Sequence, residues 1–207
     1  VEIALKAENL LKSEPDGDRM RGRPHLVARI LEDGSRTDED WLQQFWAGLL
    51  ATACTLDGGD ESNLEFIDLF SQLATIHARI LTTVCIKATT VISESGSVAA
   101  NPLAWTAEEI MEIPGSRELQ IEHDLARLDE LGLIEKRLKS PAFLQSDEIY
   151  ITPSSIGLQL YALCKGHRGA PQDFYAVKSA YAPLSTSEPL SANEALGANE
   201  PLSASEH

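Results

Sequence analysis

The chain has 207 residues, 43% hydrophobic and 24% charged, which suits one globular domain or two small ones with a sizeable core. Its formal net charge of −15 repels phosphate backbones and anionic lipid. The most apolar stretch, residues 78–92, is interrupted by Arg79 and Lys87, and a span needs about 18 or more apolar residues in a row, so no membrane contact is expected.

The charge is uneven. Residues 1–36 are balanced, residues 37–181 hold ten basic against 21 acidic side chains, and four glutamates follow. A solvated acidic surface is the plain reading, and an acidic docking face for a basic partner is the sharper one. Cys54, Cys85 and Cys164 have no metal or redox spacing and sit at apolar helical positions, as buried reduced thiols of a cytoplasmic protein do. No signal peptide is visible. Val1 stands where an initiator Met is expected and the first helix begins mid-pattern, so an upstream portion is expected.

Residues 1–12 place Ile3, Ala4, Ala7, Leu10 and Leu11 on one helical face, and Pro15-Asp16-Gly17-Asp18 ends that helix. Arg19, Arg21 and Arg23 alternate in a solvated linker. Pro24 opens a short helix with Leu26, Val27, Ile30 and Leu31 inward, closed by Gly34. Thr37 is expected to cap the next helix, with Asp38, Glu39 and Asp40 set against its N-terminal dipole. That helix, Trp41–Cys54, is the predicted core. Trp41, Leu42, Phe45, Trp46, Leu49, Leu50 and Cys54 form a broad apolar stripe, while Gln43, Ala47, Gly48 and Ala51 leave the other face open to a second helix.

Asp57–Glu61 is an acidic turn without the alternating carboxylates of a calcium loop. Ser62 and Glu65 have the spacing of a capping box, opening a helix with Leu64, Ile67, Phe70 and Leu73 inward. Thr75 is expected to cap a helix to about Lys87 that buries Ile76, Ile80, Leu81, Val84 and Cys85. His77 and Arg79 lie on it with no ligand set nearby, so His77 reads as a surface or boundary residue. Residues 93–102 read as a loop. Thr106 and Glu109 form a second capping box for a helix with Ile110, Met111 and Ile113, and Pro114-Gly115 turns the chain. Ser116 then caps a predicted helix from Arg117 to Leu131, with Gly132 in the left-handed position after it.

Residues 133–138 and 149–152 alternate as two strands around a loop at 140–148, and Pro153-Ser154-Ser155 opens a helix with Ile156, Leu158, Leu160, Tyr161 and Cys164 inward. Gly166–Tyr181 reads as a loose connector with Phe174 and Tyr175 pinned to the body. Residues 183–206 are four hexapeptides with one leucine each, too few to stack as a β-helix, so a disordered tail is expected.

Short helix, Pro-Gly turn, longer helix, ribbon and closing helix is the order of a winged helix-turn-helix. The expected fold is mainly α: an N-terminal helical portion (1–74) packed on a winged-helix-like domain (75–165) with a small two-stranded β-ribbon, then a connector and tail (166–207). Such a domain sends its longer helix into the major groove of DNA. Here that helix carries Arg117 and Arg127 against Glu118, Glu122, Asp124, Asp129 and Glu130. Phosphate neutralisation supplies most non-specific affinity, so nucleic acid is not the expected partner. Glu122 and Asp129 are the candidate contacts to a protein partner. Lys136, Arg137 and Lys139 are the candidate nucleic-acid contacts under the alternative of a transcription regulator. No metalloprotease, phosphate-loop, nucleophile-elbow or paired-cysteine pattern occurs, so no catalytic, cofactor or metal residue is assigned and an enzyme is not expected.

Trp41-Leu-Gln-Gln-Phe-Trp-Ala-Gly-Leu-Leu-Ala, the Asp57–Ile67 turn and helix, the stretch from Leu73 and the closing segment Leu128–Cys164 occur in an order that resembles the bacterial abortive-infection alpha family. The resemblance covers roughly residues 24–165. It implies a role in bacterial defence against phage, by halting the infected cell, and it brings no catalytic residues. Together with the acidic helix it makes a non-enzymatic, cytoplasmic protein acting through protein contacts the expected function, with a DNA-binding regulator as the alternative.

Overall fold

The computed structural model describes residues 2–58, 61–138 and 148–180. These form a mainly helical protein with two small antiparallel sheets. In chain order come α1 (Glu2–Lys12), a 3₁₀ turn (Gly17–Arg19), α2 (Pro24–Gly34), α3 (Asp40–Thr52), α4 (Leu64–Ser71) and α5 (Thr75–Lys87). They are followed by β1 (Thr90–Ile92), β2 (Val98–Ala100), β3 (Ala104–Thr106), α6 (Ala107–Met111) and α7 (Ile121–Glu130). The described chain closes with β4 (Ile134–Leu138), β5 (Glu148–Pro153), α8 (Ser155–Cys164) and α9 (Pro171–Ala180). Lys139, the loop after it, Gly59 and Asp60 of the acidic turn, and the hexapeptide tail lie outside the described residues.

Helix α3 is buried on all sides from Phe45 to Thr52, as an all-round apolar helix must be. Its small residues admit a neighbour, as expected. A Cβ on Gly48 would lie 2.5 Å from the Cys164 carbonyl carbon and closer still to its oxygen, so the end of α8 packs directly on the α3 backbone. The guanidinium of Arg168 donates to the carbonyls of Ala51 and Cys54, satisfying acceptors that the end of α3 leaves open. Trp46 stacks edge-on against Phe70 of α4 with ring centroids 4.7 Å apart, bringing α4 onto the same core. From α1, Ile3 and Ala7 are buried against it, while Ala4, expected inward, is exposed. One cluster of buried side chains runs from Ile3 through Trp46, Val84 and Leu158 to Tyr175.

Several helix starts shift. The Thr37 hydroxyl accepts the amide of Glu39 at 3.2 Å, and α3 begins only at Asp40 with Glu39 in the cap position. Helix α4 begins at Leu64 after Asn63, whose side chain makes no cap hydrogen bond. Phe66 is buried there, while Leu64 and Leu73 are half-buried. At α5 the cap position is Ala74, and Thr75 is the first helical residue. Helix α7 begins at Ile121 rather than Arg117. Met111 and Ile156, placed inward by periodicity, are 39% and 43% exposed.

The stretch read as a loop at 93–102 holds the turn and second strand of a hairpin. Strands β1 and β2 pair antiparallel with Thr90 opposite Ala100, and Gly96 supplies a φ of +82° in the turn. The expected two-stranded ribbon is a three-stranded sheet in the order β3-β5-β4. Its first strand is held by Trp105, fully buried, whose indole N–H donates to the Ile151 carbonyl at 3.2 Å. The Thr106–Glu109 box forms as read: the hydroxyl accepts the Glu109 amide at 3.2 Å and the carboxylate accepts the Thr106 amide at 3.0 Å. Gly132 ends α7 at φ +68°, with its amide on the Asp129 carbonyl and that of Leu133 on the Leu128 carbonyl. Ser154 caps α8 by accepting the Gly157 amide at 3.0 Å.

The connector is a helix. In α9, Tyr175 is fully buried and its hydroxyl donates to the Leu158 carbonyl at 2.8 Å, while Phe174 packs edge-on against Tyr161. The three cysteines are buried and form no disulfide, as expected. Among the described residues no single helix is long and apolar enough to cross a membrane. Helices α4 and α5 reach that length only together, across a bend of 119°.

Candidate interaction face

Helix α7 presents the residues that charge had singled out, with one exception. Glu122 and Asp129 are exposed, as are Glu118 and Glu130. Asp124 is not part of that surface: it is 9% exposed and its Oδ1 lies 3.3 Å from Nε2 of His77. The other ring nitrogen of His77 accepts the Ala74 amide at 3.2 Å. These partners place the proton on Nε2, which donates to Asp124, and occupy both nitrogens. His77 is therefore a buried bridge from α5 to α7, not a boundary residue. His123, one residue before Asp124, is exposed on the other side of the helix. The outer surface of α7 and its lead-in consequently carries four carboxylates. The arginines facing them are Arg117, which is exposed, and Arg127, which reaches Glu130 at 3.6 Å and Gln72 at 3.3 Å.

The basic candidates sit next to this face. The backbone amide of Lys136 donates to Asp129 Oδ1 at 3.4 Å, so the acidic helix and β4 meet at that point. Lys136 is half-buried, and Arg137 stands opposite Tyr150 in the sheet register. Lys139 is outside the described residues.

A second polar cluster joins the N-terminal helices to the α6–α7 turn. The Glu39 carboxylate accepts from the Trp41 indole N–H and from Arg79. Arg79 also donates to the Pro114 carbonyl at 3.3 Å and lies 5.3 Å from the Trp41 ring centroid. The indole N–H, and after it the guanidinium, holds the Glu39 carboxyl below its usual value of 4.5. A carboxyl lowered in the folded state adds stability above its unfolded value, and that stability is lost as pH falls through the lowered one. Because the pair is partly exposed, Glu39→Gln should cost roughly 0.5–1 kcal/mol at pH 7. The gap from wild type should close below about pH 4.5. Urea unfolding at pH 7 and pH 3 checks this, and a gap of equal size at both would contradict it.

Two open cavities flank α3. One of about 330 Å³ lies between α2, α3 and α4 above Trp46 and Phe70, rimmed by Asp33, Arg36 and Ser71. Another of about 300 Å³, between α1 and α3, has Cys54 on its wall. Burial pushes the Cys54 thiol up, which keeps it protonated and weakly nucleophilic at neutral pH. No group of three or more His, Cys, Asp or Glu side chains converges as a metal site among the described residues.

Periodicity alone could not have found the His77–Asp124 bridge, whose partners are 47 residues apart, or the Glu39–Arg79 pair, 40 apart. The only local signal was the pairing of a polar residue with the inward face of each helix. A family model, that of abortive infection alpha, matches residues 2–164, from the start of α1 to the end of α8. No curated protein and no solved structure matches the chain. On the strength of that match the chain belongs to the abortive infection alpha family.

Proposed function

We propose that the protein serves phage defence as a non-enzymatic component that contacts another protein through the exposed carboxylates of α7. The observation that carries the reading is the outward placement of Glu122 and Asp129 on a helix with few opposing cations. Family membership supplies the biological setting. The order β3-α6-α7-β4-β5, with β5 central in the sheet, supports a winged-helix arrangement in which α7 occupies the position of the DNA-reading helix. An acidic helix there is suited to a basic protein surface and opposed to a phosphate backbone. Buried cysteines without a disulfide accord with work in the reducing cytoplasm.

The test is infection of host cells carrying the wild-type chain or the Glu122→Lys, Asp129→Lys double variant. Protection should fall about tenfold or more, as loss of a contact worth over 1.4 kcal/mol implies. The melting temperature should fall by no more than about 5 °C: both side chains are exposed, and the variant gives up one long hydrogen bond, from the Lys136 amide to Asp129. Full protection by the variant would remove the acidic face from the mechanism. Salt-sensitive DNA binding by the wild type that disappears when Lys136, Arg137 and Lys139 are all changed to alanine would favour the transcription-regulator reading instead.

A further inference from the structure

The segment between α6 and α7 does not adopt the structure its sequence favours. Ser116 is a good N-cap residue and Arg117–Gln120 contains no helix breaker, yet α7 starts at Ile121. Two groups are left in unfavourable surroundings. The Ser116 hydroxyl is buried with no hydrogen-bond partner among the described residues, and an orphaned buried hydroxyl costs free energy. Leu119 is 100% exposed, giving up all the stabilisation its burial would bring. Such local conflict between sequence preference and fold is characteristic of functional positions.

The conflict is a short step from resolution. Ile121 already donates its amide to the Arg117 carbonyl, the i to i−4 bond of a continuing helix. One more turn wound back to Arg117 would let the Ser116 hydroxyl accept the amide of Glu118 or Leu119. Leu119 would then head an outward stripe with Glu122, His123 and Ala126, which are all exposed. Its immediate neighbours Glu118 and Glu122 are carboxylates, so a pocket that takes Leu119 must be apolar inside and basic at its rim. A second copy of this chain, with its net charge of −15, is a poor occupant for such a face.

We propose that a basic partner protein docks on this turn, that Leu119 enters an apolar pocket on it, and that docking winds Arg117–Gln120 onto α7. This rests on the protein-contact reading above and names the anchor and the kind of partner. An exposed apolar side chain flanked by two carboxylates suits a binding hot spot whose rim sets specificity.

The full chain is titrated with three probes: a helical peptide of alternating lysine and leucine blocks, oligolysine of equal charge, and a short DNA duplex. Wild type should bind the lysine-leucine peptide more tightly than oligolysine and should ignore the duplex. Leu119→Ser should weaken the peptide about tenfold, to the oligolysine level, while leaving the fold intact because the side chain touches nothing. Ser116→Ala should leave the free chain at least as stable as wild type yet weaken the peptide about fivefold, the signature of a cap formed only in the complex. Hydrogen exchange should slow at residues 118–120 on peptide binding. Wild-type affinity in Leu119→Ser, or equal affinity of oligolysine and the peptide, would overturn the anchor. A doubling of mass by light scattering that Leu119→Ser abolishes would assign the face to a second copy and also overturn the proposal. Loss of phage protection with Glu122→Lys, Asp129→Lys but not with Leu119→Ser would leave the protein-contact reading standing and remove the anchor alone.

Discussion

Replacing Tyr175 with alanine lowers the unfolding free energy by about 3–5 kcal/mol, the cost of deleting a large buried aromatic. Its ring is fully buried and its hydroxyl donates to the Leu158 carbonyl at 2.8 Å. Tyr175→Phe keeps the ring and gives up only that hydrogen bond, while the Leu158 carbonyl keeps its helical donor, at roughly 0.5–1.5 kcal/mol. At about 2–4 °C per kcal/mol for a chain of this size, the alanine variant melts some 6–20 °C lower in calorimetry. A shift within about 1 kcal/mol would mean that α9 is not docked on α8. The residue lies beyond the segment matched by the family model, which stops at 164, so the folded core of this chain is larger than the family's matched portion.

The second large effect is at Gly48. An added methyl group meets backbone on the facing element, the Cys164 carbonyl and, at 3.0 Å, the Gly166 nitrogen. No side chain can swing aside, so α3 and α8 must separate. Alanine gains about 1 kcal/mol of helix propensity over glycine, and the overpacking outweighs it by about 2 kcal/mol or more. Gly132 is the control. It has φ +68° but nothing within 4 Å of its added Cβ, so Gly132→Ala should cost only the left-handed backbone penalty of about 1–2 kcal/mol. Chemical denaturation of both variants separates steric closeness from backbone strain. A Gly48→Ala protein as stable as wild type would contradict the close approach of α8.

What could be read from the residues alone is what short spacing encodes. The Thr106–Glu109 box, the Gly132 end of α7, the helix start at Pro153-Ser154-Ser155 and the small face of α3 each depend on residues within one or two helical turns, and each formed. Strands β1 and β2 escaped because each is three residues long. Their pairing depends on packing by α8 and α9, far along the chain. The extent of α7 was overread for the opposite reason. Ser116 and the residues after it favour a helix locally, and the fold around Pro114 and Ile121 does not complete it. The acidic surface was legible in sign but not in membership, because only the tertiary fold takes Asp124 inward to His77. The identity of the candidate face thus followed from composition, and its apolar component, Leu119, did not.

The bonds from Arg168 to the end of α3 have a consequence for how the chain is made. Ala51 and Arg168 are 117 residues apart. At roughly 5–20 residues per second, a ribosome takes on the order of ten seconds to make that interval. Throughout it, a helix that is buried on all sides in the folded protein is synthesised and waiting, without the cation that closes its end or the α8 backbone that covers Gly48. Folding of the core is therefore delayed until late in translation, and α3 is the segment a chaperone must shield in the meantime.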